Sequence, residues 1–164
     1  MSLTLSKSGL VQELTVDNTG ENAFDFTTLL HTYFKCADIE HVSVEGLQGS
    51  GWTDKVLGDA PKSETRASLK LDGFYDSVYS QTPSTQTIKG LAGKDTPLVV
   101  DVEKTNLPDT VVWNPWEENA AKMGDFDDDG FHYMICVEAG AVSERTTLEP
   151  NSTWKGSQNI QPHA

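Results

Sequence analysis

Two residues in this sequence have the types and surroundings to move protons. Glu138 is the single carboxylate in the otherwise apolar run Met134-Ile135-Cys136-Val137-Glu138-Ala139-Gly140. A carboxylate in such a run costs several kcal/mol unless it is paired, hydrogen-bonded or used. Burial also raises its proton affinity, which suits a general base working near neutral pH. His31 sits in residues 24–34, FDFTTLLHTYF, among apolar and aromatic neighbours. An acid and a base on separate strands can face one cavity. Blander readings use the same residues: a strand-end carboxylate paired with Lys or Arg, and a satisfied core histidine.

Other residues could help such a pair hold a polyhydroxylated ligand. Asp76 could accept hydrogen bonds from hydroxyls, or be a turn residue after Asp72-Gly73. Trp113, Asn114 and Trp116, around Pro115, could offer a stacking face and an amide. Core aromatics at a proline turn would look the same. The segment Asp125-Phe126-Asp127-Asp128-Asp129-Gly130 opens like a calcium loop, but the twelfth position, which needs Glu, is Cys136. It reads as a solvated acidic turn. No Cys/His cluster has zinc spacing in sequence and no Gly-rich phosphate loop occurs, so no metal and no cofactor is expected.

The elements that must position these residues are mostly strands. Period-two patterning marks 3–5 and 10–16, joined by a turn at 6–9, then 23–34, 39–47, 65–71, 77–81, 86–91, 98–103, 111–113, 131–138 and 144–148. Residues 117–123 can form a short helix. Many short strands with close turn signals predict an all-β sandwich or barrel. The 164 residues suit a single domain, with 161–164 as a polar tail.

Composition excludes several classes. The formal net charge of −13 and the lack of a basic stripe argue against nucleic-acid binding. No run approaches the roughly 20 apolar residues of a membrane span, and no secretory signal is visible. Cys36 and Cys136 read as two buried thiols of a cytoplasmic protein. The same net charge opposes long-range attraction of an anion. A phosphorylated ligand would therefore need a local cluster of Arg, Lys or backbone N–H groups.

In order and spacing, residues 29–47 (LLHTYFKCADIEHVSVEGL), the Asp54-Lys55 pair, residues 72–79 (DGFYDSVY), WNPW at 113–116 and CVEAG at 136–140 resemble the glucose-6-phosphate 1-epimerases, or hexose-6-phosphate mutarotases, of the aldose 1-epimerase superfamily. The resemblance implies a galactose-mutarotase-like β-supersandwich and a cofactor-independent interconversion of the α and β anomers of D-glucose 6-phosphate. Glu138 would be the base, His31 the acid and Asp76 the ligand of sugar hydroxyls. Where family members often carry Arg after this aspartate, the chain has Ser77. Members are substantially longer, so the chain is expected to be a C-terminal portion lacking the N-terminal strands. Sheet edges left open would then invite self-association. The family's arginine ligands for phosphate come largely from the absent part, and Arg66 and Arg145 match none of them. The alternative is a non-catalytic carbohydrate-binding form of the same fold.

Overall fold

The computed structural model describes residues 1–54, 62–93, 96 and 98–163. Lys55 of the Asp54-Lys55 pair lies outside them. Fourteen strands occur among the described residues: β1 (Ser2–Ser6), β2 (Gly9–Asp17), β3 (Phe24–Leu30), β4 (Tyr33–Lys35), β5 (Ser43–Glu45), β6 (Gly51–Asp54), β7 (Lys62–Ser63), β8 (Ser68–Leu69), β9 (Tyr75–Ser80), β10 (Thr85–Lys89), β11 (Val99–Thr105), β12 (Asp109–Asn114), β13 (Met134–Leu148) and β14 (Thr153–His163). One short helix, α1 (Trp116–Ala120), follows β12.

The strands form two antiparallel sheets. The first runs β1-β2-β14-β11-β10-β5-β8. The second runs β3-β13-β12-β9-β6-β7, with β4 also paired to β13. Alternation sends Val44, Ile88 and Val102 of the first sheet and Tyr79, Val112, Ile135 and Val137 of the second into one shared core. Burial of such side chains contributes about 1.5–3 kcal/mol each, so the core is the main source of stability. The alternate residues of the second sheet, among them Asp76, Trp113 and Glu138, fall on its other face.

Some elements differ from the sequence reading, for identifiable reasons. Residues 161–163, read as a polar tail, continue β14 and pair with Val99, Val100 and Asp101 of β11. The polar composition misled because one face of this strand is solvated. Residues 131–138 begin as a 3₁₀ turn, Gly130–Tyr133, and the strand starts only at Met134. The late strand at 144–148 is the far half of β13, which is kinked by a bulge between Ala141 and Thr146. Asp109 holds that bulge. Its buried carboxylate accepts hydrogen bonds from the amides of Val142 (2.8 Å) and Ser143 (2.7 Å) and from the Ser143 hydroxyl.

The stretch 23–34 divides into β3 and β4. Leu30 pairs with Ala139 and Tyr33 with Cys136, so the register against β13 continues unslipped through His31 and Thr32. Gly140 lets β3 approach this closely. A Cβ there would lie 2.6 Å from Leu29 Cδ1 and 3.0 Å from the Thr28 carbonyl oxygen.

Candidate active site

Sheet register builds the site. His31 falls opposite Glu138, and Val111 pairs with Glu138 and with Val78. One row along, Asp76 pairs with Trp113, Trp113 with Cys136, and Cys136 with Tyr33. Residues two apart on a strand share a face. The two rows therefore place Glu138, His31, Trp113, Asp76, Cys136 and Tyr33 on one side of the second sheet.

The cleft on this face, about 190 Å³, is lined by Leu29, His31, Asp76, Val111, Trp113 and Glu138. His31 Nδ1 lies 3.4 Å from Glu138 Oε1, with the Glu138 side chain 1% exposed and that of His31 47% exposed. The carboxylate is thus at the floor and the imidazole at the rim. The Tyr33 ring stacks on the imidazole at 5.0 Å and 11°. Trp113 meets both rings edge-on at 5.9 Å. These contacts fix the imidazole plane beside the carboxylate. Burial, then the charges of Cys136, Glu138 and Asp125, push the Tyr33 phenol up. It stays a neutral hydroxyl that can donate a hydrogen bond at neutral pH.

Of the residues singled out from sequence, His31, Glu138, Asp76 and Trp113 meet at this cleft. Asn114 does not. It is fully buried, and its amide donates to the Phe131 and Met134 carbonyls, both at 2.9 Å. Its Oδ1 accepts the Trp116 amide at 2.9 Å. Asn114 thereby holds Trp116 at φ +57°, a left-handed conformation that few bulky residues adopt. The Trp116 ring packs on Phe131 at 5.3 Å. This half of the WNPW motif builds a turn and does not reach the cleft.

Of the two arginines that match no phosphate ligand of the family, Arg66 is committed to an ion pair. Arg66 bonds Glu64 through Nε (2.8 Å) and Nη2 (2.7 Å). Burial pushes the Glu64 carboxyl up, but hydrogen bonds from the Arg66 guanidinium and amide and the Tyr79 hydroxyl outweigh it and hold the group at about 2. Arg145 is exposed within the bulged stretch of β13. Neither arginine lines the cleft.

Sequence reasoning passed over Tyr33 and Cys136. Tyr33 is two residues from His31 on a strand, so period two alone places it on the same face. Cys136 is two residues from Glu138 in the same way. Its thiol is fully buried, and burial, then the Glu138 charge, push it well above the usual thiol range. Both cysteines are free thiols. The acidic loop 125–130 leads into a 3₁₀ turn and a strand, unlike a calcium-binding helix–loop–helix. No helix among the described residues is long and apolar enough to cross a membrane.

Comparison with known proteins identifies the family and the fold. A family model described as aldose 1-epimerase matches residues 1–161. A relative from Cenchrus ciliaris named "Putative glucose-6-phosphate 1-epimerase" is 35% identical over 95% of this chain and 47% of its own length. One of the same name from Escherichia coli is 32% identical over 93% of this chain and 50% of its own length. The chain thus spans about half the length of the curated relatives it matches. Among solved structures, a "putative mutarotase" from Salmonella typhimurium superposes with a TM-score of 0.80 at 21% identity, covering 98% of this chain and 63% of that one. A galactose mutarotase related enzyme from Lactobacillus acidophilus gives 0.77 at 12% identity, covering 99% and 60%. These likenesses show the galactose-mutarotase-like fold.

Proposed function

The chain belongs to the aldose 1-epimerase family, and on that premise we propose that it interconverts the α and β anomers of a hexose 6-phosphate, D-glucose 6-phosphate first. The observation that carries this reading is His31 Nδ1 at 3.4 Å from Glu138 Oε1 on the floor of an open cleft. Anomer exchange needs one group to accept a proton while another donates one. Glu138 takes the proton of the C1 hydroxyl. The C1–O bond to the ring oxygen breaks, and His31 gives that oxygen a proton. The open-chain aldehyde rotates about C1–C2. The ring hydroxyl then attacks the other carbonyl face, returning one proton to His31 while Glu138 returns the other to the new C1 hydroxyl. No net proton is consumed, and each group contributes roughly 10²- to 10⁴-fold.

The cleft supports the remaining roles. Asp76 accepts hydrogen bonds from sugar hydroxyls, and Trp113 offers an aromatic face to the C–H side of the ring. The name carried by the curated relatives supports the 6-phosphate. The free thiols suit a reducing compartment, and we place the protein in the cytoplasm.

The test is two-dimensional exchange NMR on glucose 6-phosphate and on glucose, side by side. Exchange of glucose 6-phosphate well above buffer, and faster than that of glucose, is the expected result. Exchange of glucose alone would overturn the phosphate assignment. Neither arginine lines the cleft, which favours a second reading, a sugar-binding domain without turnover. Saturable sugar binding with no exchange would establish that reading instead.

A further inference from the structure

The acid–base pair has a third neighbour that anomer exchange does not use. An imidazole nitrogen of His31, Sγ of Cys136 and a carboxylate oxygen of Glu138 all lie within 4.8 Å of one another. We propose that these three residues form a binding site for a thiophilic divalent cation of the zinc type, and that occupation of the site switches the cleft off.

The geometry fits such an ion. Two ligands at about 2.0–2.1 Å around a tetrahedral centre are separated by about 3.3 Å. His31 Nδ1 and Glu138 Oε1 are already 3.4 Å apart. Sulfur lies within 4.8 Å of both other ligand atoms, so an inward movement of at most about 1.3 Å completes the face. A thiolate, an imidazole and a carboxylate select zinc-like ions over magnesium or calcium, which prefer oxygen alone. Three protein ligands leave a fourth position open toward the cleft for water or a hydroxyl. The sequence concealed this set because its members come from two strands with no metal-ligand spacing. Among the described residues it is the one group of its kind.

Binding is coupled to proton release. The thiol must ligate as thiolate and the imidazole through an unprotonated nitrogen, so uptake of the ion releases protons to solvent. The inhibitory part rests on the acid–base reading. A coordinated Glu138 cannot take the C1 hydroxyl proton, and a coordinated imidazole nitrogen cannot protonate the ring oxygen. Metal uptake itself is independent of that reading.

Cobalt(II) is the probe, because thiolate ligation gives a charge-transfer band in the near ultraviolet. Titration of the full chain should give the band at one equivalent, with release of protons. Cys136→Ala should abolish the band and weaken Zn²⁺ binding by more than the roughly 10- to 100-fold that outer-shell partners are worth. Cys36→Ala should keep the band. His31→Ala, at an exposed position, should weaken Zn²⁺ binding and tests the site even if Cys136→Ala does not fold. No band in the wild type, a band retained in Cys136→Ala, loss in Cys36→Ala, or unchanged affinity in His31→Ala would each overturn the site. Zn²⁺ should also suppress anomer exchange in the wild type but not in Cys136→Ala. Metal binding at this site without suppression of measurable exchange would overturn the inhibitory part. If the chain shows no exchange at all, the cobalt band and Zn²⁺ affinity still decide the site.

Discussion

His31 and Glu138 face each other across an unslipped register between β3–β4 and β13, with Nδ1 3.4 Å from Oε1. Neither strand alone makes a site. The pair arises because the Gly140 position lets β3 lie close against β13, and because Tyr33 and Trp113 wall in the imidazole. The carboxylate is kept from water while the imidazole stays reachable, an arrangement suited to an acid and a base that exchange roles in one turnover.

Trp113 and Asn114 are neighbours with separable effects. Trp113→Leu should weaken sugar binding by roughly 2- to 12-fold, the worth of one aromatic contact, with the melting temperature little changed. Asn114→Ala should leave affinity unaltered in the folded protein but destabilise it by about 1–3 kcal/mol, because buried backbone groups lose their partner. Titration and thermal melts on both variants check this. Lost affinity in folded Asn114→Ala would return that residue to the binding site.

Glu64 predicts a distinct acid sensitivity. Its folded carboxyl sits at about 2 against an ordinary 4.5. The folded value is depressed, so the stability this group contributes is full above about pH 4.5 and is lost as pH falls toward 2. The melting-temperature gap between wild type and Glu64→Gln should therefore be wide at neutral pH and narrow across that window. A gap constant from pH 7 to pH 2 would contradict the assigned network of Glu64, Arg66 and Tyr79.

The legible part of the fold was that governed by period two. β9, β10 and β11 follow alternation closely, so strands and faces could be read directly, whereas β12 and the core half of β13 are buried on both faces and read as continuous apolar runs. His31 and Glu138 stood out because each is polar in an apolar run. What stayed hidden depends on partners far along the chain. Asn114 looked like a ligand because nothing local reveals that the Phe131 and Met134 carbonyls will occupy its amide. The residues 161–163 looked like a tail because a strand with one wet face is polar in composition. The proximity of Cys136 to His31 is a matter of register, which no spacing within either strand encodes.

The edge strand β1 predicts association. Leu3 is 58% exposed and Leu5 82% exposed, on a strand that, among the described residues, has no neighbouring strand on its outer side. Such an edge pairs readily with another chain. Sedimentation velocity should show mass rising with protein concentration, and Leu5→Lys should suppress the rise. A monomer at all concentrations would contradict this.

The central claim is that Glu138 is the base. The direct measurement is α-to-β exchange of glucose 6-phosphate by NMR saturation transfer, comparing wild type, Glu138→Gln and His31→Ala, with melts to confirm folding. The account predicts exchange in the wild type and a loss of at least about 10²-fold in each folded variant. Exchange in folded Glu138→Gln at near wild-type rate would contradict it.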